Sequence, residues 1–432
     1  MNSVKIIGGG LAGCEAAYQL AKRGVSVFLY EMRPSRMTPA HKTDKLAELV
    51  CSNSLKSVDV NTAQGALKRE MKLLDSLIIR AAEQAAVPAG GALAVDREKF
   101  SDYIERTLSE FDNIKIIREE NAEIEENTIV ATGPLSSDGI TEALGRITGG
   151  KYLSFYDAVA PIVTGESVDK EKSFFAGRYG KGGEDYLNCP MNREEYYGFV
   201  ENLVEADRVI LRDFEKKDVF SACMPVEIMA GKGSDTLRFG PLRPVGLVDP
   251  VTGRRPFAAV QLRKEDEEGR LFNLVGFQTN LKFGEQKRVF SMIPALREAE
   301  FVRYGVMHRN TFVNAPEILG EGFELKNRPG VFIAGQLSGV EGYAESAMSG
   351  LMAGINAYRR LKNLDIKNPP RTTMSGGLMK YIITENKDFQ PMHVGFPLTP
   401  EIETHVKDKQ KRKEEYSLRA EKDFSEFVKN YI

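Results

Sequence analysis

Two sets of residues in this chain could do chemistry by their type and spacing. The first is Val4-Lys5-Ile6-Ile7-Gly8-Gly9-Gly10-Leu11-Ala12-Gly13, an apolar run breaking into Gly8-x-Gly10-x-x-Gly13. Gly8 lets a turn close, Gly10 lets backbone approach a pyrophosphate, and Gly13 lets the following helix pack on the strand, so Gly8, Gly9, Gly10, Leu11, Ala12 and Gly13 form a phosphate cradle. Glu31, eighteen residues past Gly13, is spaced to accept hydrogen bonds from the ribose hydroxyls of an adenosine. The second set is the four cysteines, Cys14, Cys51, Cys189 and Cys223, which form neither a CxxC pair nor a metal spacing. Cys14 reads as a small buried residue on the first helix. Cys51 heads Cys51-Ser52-Asn53-Ser54, which is either a polar turn around a buried thiol or a segment passing close to a flavin ring.

These residues need elements to position them. Ala16, Ala17, Leu20 and Ala21 recur at helical spacing behind the glycines, and Val25 to Tyr30 reads as a second strand ending at Glu31. Leu67, Met71, Leu74, Leu77 and Ile78 predict one amphipathic helix over 62–86, and Val95-Asp96-Arg97 opens another. Short strands are expected at 114–117 and 123–124. An apolar strand then runs into Ala131-Thr132-Gly133, the second mark of a two-dinucleotide flavoprotein, with Thr132 and Gly133 at the cofactor. This narrows the dinucleotide to FAD. Near the end, Pro329 to Ala334 reads as a strand closing at Gly335-Gln336, and a helix of small residues begins at Tyr343. That helix aims its positive end at the flavin, where Tyr343 stacks on the ring, gates it, or simply packs in the core.

Length and composition set the outer limits. The 432 residues allow two domains, and a formal charge of -2 requires any nucleic-acid partner to be met by a local basic patch. Cations beside aromatics do occur between Arg238 and Arg288, among them Arg243, Arg254, Arg255, Lys282 and Lys287; they suit either RNA or a salt-bridged surface with Glu265 to Glu268. The mixed-sign run from Lys407 to Glu415 predicts an exposed helix. With no apolar run of 18 residues and no leader pattern, the expectation is a cytoplasmic chain without membrane contact or metal. Nothing in the sequence sets the number of subunits. The expected fold is α/β: an FAD-binding Rossmann-like (glutathione-reductase-type) domain from 1–150 and 300–432, interrupted by an inserted α+β substrate domain over 151–299.

Five separated blocks carry a resemblance: GGGLAGCEAA (8–17), CSNSL (51–55), SACMPVE (221–227), MHRNTFVN (307–314) and AGQLSGVEGYAESAMSGLMAG (334–354). Together they resemble the folate- and FAD-dependent tRNA uracil-54 C5-methyltransferases, the TrmFO family. The related wobble-uridine modifiers of the MnmG family share the first and last blocks but have a longer C-terminal helical region. The resemblance implies methylation of carbon 5 of a T-loop uridine. Methylenetetrahydrofolate is the one-carbon donor, reduced FAD the reductant and methylene carrier, and NAD(P)H the source of electrons. It also implies Cys223 as the nucleophile at uracil carbon 6, Cys51 as acid or base at carbon 5, and His308 stacking on the folate pterin. The competing reading is a flavin-dependent NAD(P)H oxidoreductase acting on a small molecule, in which both cysteines are structural.

Overall fold

The computed structural model describes residues 3–38, 40–150, 152–158, 160–180, 185–209, 224–266, 268–305, 307–386, 389–402 and 406–432, with backbone alone over 152–158 and 307–311. The cofactor half is built on a six-stranded sheet in the order Glu324–Leu325, Arg328–Ile333, Thr128–Val130, Ser3–Ile7, Ser26–Tyr30, Ile114–Ile117. All pairs are parallel except the first. Thr128–Val130 is buried throughout, and Val4, Ile6, Ile7, Val27 and Leu29 are the buried positions of the next two strands in that order.

The helix Leu11–Lys22 crosses from the first strand to the second, and the 19-residue helix Tyr343–Leu361 lies against it. Small residues allow this approach. A Cβ on Gly350 would stand 2.1 Å from the Ala12 carbonyl oxygen, one on Gly354 2.9 Å from that of Ala16, and one on Gly13 1.8 Å from that of Gly8. No side chain fits between these backbones.

The chain leaves this half and returns to it as a two-stranded antiparallel ribbon, Tyr152–Ala158 paired with Met307–Val313. Beyond the ribbon lies a separate antiparallel sheet in the order Phe174–Phe175, Tyr186–Met191, Ala258–Lys264, Leu271–Leu274, Ile162–Thr164, Phe301–Arg303. Its last strand follows residue 299. The helix Arg193–Glu205, started by a reciprocal Asn192/Glu195 capping box, buries Tyr196, Phe199, Val200 and Leu203 in a second core.

Two local expectations are corrected. The helix expected over 62–86 is two helices, Ala63–Leu73 and Leu77–Gln84. Asp75 adopts φ +52°, and the Ser76 hydroxyl and the buried Glu15 carboxylate accept the first N–H groups of the second helix, so capping overrides the apolar period. Residues 123–124 join no sheet. The C-terminal charge run enters the helix Lys409–Tyr431, and among the described residues no helix is long and apolar enough to cross a membrane.

Because Gly350 faces backbone, Gly350→Ala is expected to cost about 3 kcal/mol. Denaturant midpoints should show the loss, and the flavin absorbance retained through purification should fall with it. Gly284, whose Cβ would meet open space in the helix Phe283–Phe290, is the control, and its alanine variant should be neutral or slightly stabilised.

Candidate active site

The ends of Ser3–Ile7, Ser26–Tyr30, Thr128–Val130 and Arg328–Ile333 open onto one cleft of about 1030 Å³. Gly8, Gly9, Gly10, Leu11, Ala12, Glu31, Thr132, Gly133, Gly335, Gln336 and Tyr343 all line it. The glycine turn divides its tasks by geometry. Gly8 holds φ +107°, and a Cβ there would stand 2.4 Å from the Ala131 carbonyl oxygen, whereas a Cβ on Gly10 would meet no protein atom within 4 Å. Helix Leu11–Lys22 begins at Gly10 and helix Tyr343–Leu361 at Gly342, each without a side-chain cap. Their first N–H groups are therefore left for an anion.

Glu31 is more than a ribose acceptor. Its carboxylate accepts from Gly9 N–H (3.1 Å), Arg33 N–H (3.0 Å) and Arg33 Nε (2.9 Å), and Arg33 continues to Glu48 at 2.9 Å. Burial opposes its charge, but the Arg33 bonds outweigh this and hold the carboxyl below its ordinary value. Gln336, where an acid is common, donates to Glu341 at 2.6 Å.

The Cys51 segment closes the inner end. Cys51 N–H donates to the Tyr343 hydroxyl at 2.8 Å, and Lys56 Nζ lies 3.4 Å from the buried Glu345 carboxylate, so the first turn of one helix grips both ends of residues 51–56. Burial, and then the neighbouring Cys51, push the Tyr343 hydroxyl well above its usual range, which keeps it protonated. Asn53, fully buried, donates to the carbonyls of Val95 and Lys264 and accepts from Arg263 Nε at 2.8 Å, tying the segment to the inserted sheet. Sequence reasoning missed Arg97, Arg303 and Glu265, which surround Cys51. The Asp96-Arg97 helix opening was the available signal for Arg97; Arg303 and Glu265 carry none.

The cysteines separate by environment. The Cys14 thiol is fully buried, donates to the Gly9 carbonyl and is pushed upward by burial, and the buried Cys189 thiol rises to about 12 for the same reason. Both are inert as nucleophiles. Cys51 is half-buried, next in the chain to Val50 of the cleft lining and bonded through its N–H to Tyr343. Cys223 lies outside the described residues. His308 pairs with Asp157 in the ribbon's backbone, with its side chain outside them. Among the described residues no group of His, Cys, Asp and Glu could hold a metal.

A glycine-turn cradle, two uncapped helix N-termini and a parallel sheet meeting in one cleft define a flavoprotein of the FAD-binding, two-dinucleotide class. The fold matches a solved structure of Aquifex aeolicus GidA with TM-score 0.71 and 17% identity, over 98% of this chain and 73% of that one. The family model described as "Glucose inhibited division protein A" matches residues 3–365. Within that group, the chain is 56% identical over 430 residues to methylenetetrahydrofolate–tRNA-(uracil-5-)-methyltransferase TrmFO of Natranaerobius thermophilus, covering 99% of each. It is 54% identical over 420 residues to the protein of that name from Listeria monocytogenes, covering 97% of each. The chain belongs to the TrmFO family.

Arg33→Met strands Glu31 as a buried charge and should cost about 3 kcal/mol at pH 7. Because the folded carboxyl sits below its unfolded value, the pair's contribution is complete above about pH 4.5 and is lost as pH falls through the lowered value. Urea midpoints between pH 3 and 7 should show that acid limb in the native protein and a flattened one in the variant.

Proposed function

We propose that this protein methylates carbon 5 of uridine 54 in the T-loop of tRNA, with methylenetetrahydrofolate as carbon donor and NAD(P)H as the source of electrons. The observation that carries this reading is the fixing of Cys51 at the inner end of the dinucleotide cleft, against the inserted sheet. FAD, when bound in the cleft, supplies the reducing power and carries the one-carbon unit. Gly8 to Gly13 and the first turn of Leu11–Lys22 would hold its pyrophosphate, and Glu31 its adenosine ribose. Thr132, Gly133, Gly335, Gln336 and Tyr343, which line the same cleft, would hold the rest.

Uracil carbon 5 is a weak nucleophile until a thiolate adds to carbon 6 and makes the ring an enolate. Cys223 is assigned this addition by its place in the SACMPVE block. Once the new carbon–carbon bond forms, carbon 5 carries both the added carbon and a proton. Cys51 removes that proton, and the electron pair releases the added carbon from its carrier as an exocyclic methylene; when hydride supplied from NAD(P)H by way of the flavin converts that methylene to methyl, the C5–C6 double bond re-forms and expels the Cys223 thiolate. His308 stacks on the pterin of the folate. Cytoplasm, where tRNA and folate meet, is the expected compartment.

The RNA surface is narrower than the run of cations suggested. Lys282 is paired with Asp207, Arg288 with Glu285, and Arg238 with Asp235. Glu265 pairs with Arg97, and Glu268 with Arg270. By contrast Arg193, Arg254, Arg255 and Arg297 converge on one pocket of the inserted domain beside Phe257, where Lys172 is paired with Asp169. Three acids line it as well: Glu195 is engaged in the helix cap, Asp249 accepts from the Val251 N–H, and Glu171 lies among the cations. This cationic pocket supports a phosphate-backbone contact.

Two measurements follow. With tRNA carrying 5-fluorouridine and methylenetetrahydrofolate present, the reduced protein should form a denaturation-stable RNA adduct that Cys223→Ala abolishes. No adduct, with NAD(P)H oxidation intact, would favour the small-molecule oxidoreductase. Arg254→Glu with Arg255→Glu should weaken tRNA binding and lower the slope of log affinity against log salt by about 1 to 2, leaving the rate at saturating tRNA unchanged.

A further inference from the structure

The surroundings of Cys51 hold more positive charge than the carboxylates around it balance. Its main-chain carbonyl accepts from two guanidiniums at once, Arg97 Nη2 at 2.8 Å and Arg303 Nη2 at 3.0 Å. Arg97 comes from the start of the helix Arg97–Ser109 and Arg303 from the last strand of the inserted sheet, so the two cations reach Cys51 from opposite halves of the molecule. Among the described residues one carboxylate serves both. Glu265, buried just past the strand Ala258–Lys264, takes Arg97 Nε at 2.5 Å. Its second oxygen and Arg303 Nε are each buried without a hydrogen-bond partner.

Arg97 also donates to the Leu49 carbonyl, and Arg303 to that of Ala160 at 3.4 Å. Carbonyls satisfy hydrogen bonds but not charge. The other described groups facing the segment supply no further negative charge: Tyr343 is kept protonated, and Arg263 is held by the neutral Asn53 amide. Arg97 and Arg303 against Glu265 leave positive charge in a confined site, and a second anion offsets it.

We propose that this anion is the Cys51 thiolate, and that Arg97 and Arg303 are positioning residues that keep Cys51 ionised at neutral pH. The inference deepens the assignment of Cys51 as the base at uracil carbon 5, since only a thiolate can accept that proton. Charge coupling runs in the required sense. Burial disfavours the charge on Arg97, and Glu265 leads the groups that outweigh it. Burial and then the neighbouring Arg97 lower Arg303, with Glu265 and Cys51 opposing them. Bringing the halves together also brings the second guanidinium, so ionisation of Cys51 depends on how the inserted domain seats on the cofactor domain.

The test is the pH dependence of Cys51 alkylation by iodoacetamide. It uses the full-length FAD-loaded protein carrying Cys223→Ala, without tRNA or folate, read by mass spectrometry of the Cys51 peptide. An ordinary thiol titrates near ~8.5. The inflection should lie at least about one pH unit lower. Arg303→Gln should raise it by about one unit and slow alkylation at pH 7 roughly tenfold, and Arg303→Lys should restore it. Glu265→Gln should move it down. An inflection shared by the parent and all three variants would overturn the inference, as would a variant that changes accessibility equally at every pH. The readout requires no methyl transfer, so its outcome stands apart from whether the protein methylates tRNA.

Discussion

The site depends on how closely two backbones approach. The helix behind the glycine turn and the helix that begins at Tyr343 touch through Gly350 against Ala12 and Gly354 against Ala16, with no room for a methyl group. That contact aligns two uncapped N-termini on a single cleft, each free to face an anion. It also sets the position of Tyr343, whose hydroxyl holds Cys51. The same small residues that make the helix look unremarkable as a core element place a thiol beside a cofactor.

Charge is arranged at two depths. At the adenosine end, Glu31 and Arg33 neutralise each other in a buried network that continues to Glu48 and ties the loop after the second strand to the cleft. At the reactive end the balance is left open: Arg97, Arg303 and Glu265 surround Cys51 with a surplus of positive charge. One network holds a shape, and the other leaves a functional group to complete it. The inserted domain takes part in the second through Arg303, Glu265 and the Asn53 contacts, which ties it to the cleft of the cofactor domain.

Much of the cofactor half was legible because its rules are local. Gly8-x-Gly10-x-x-Gly13, Glu31, Ala131-Thr132-Gly133 and Gly335-Gln336 each sit at a strand end, and strand ends in a parallel sheet converge on one crevice. The break at Asp75 and Ser76 was not legible, because a buried Glu15 from another helix caps the second segment. Arg303 and Glu265 were not legible as site residues for a related reason: Arg303 takes its meaning from a contact with Cys51 across 252 residues of chain, and Glu265 from one with Arg97 across 168. The cations near Arg238 were visible as a group, yet the folded surface divides them into internal pairs and a pocket, a division set by which acids lie across the fold.

The central claim is a carbon transfer from folate to tRNA, and following the carbon tests it most directly. The FAD-loaded protein is incubated with NADPH, unmodified tRNA and tetrahydrofolate bearing a 13C-labelled methylene group, and the nuclease digest is read by mass spectrometry. The account predicts the label in a 5-methyluridine at position 54, and no label there when methyl-labelled S-adenosylmethionine replaces the folate. Methylation drawn from S-adenosylmethionine, or label absent from tRNA while NADPH is consumed, would contradict it.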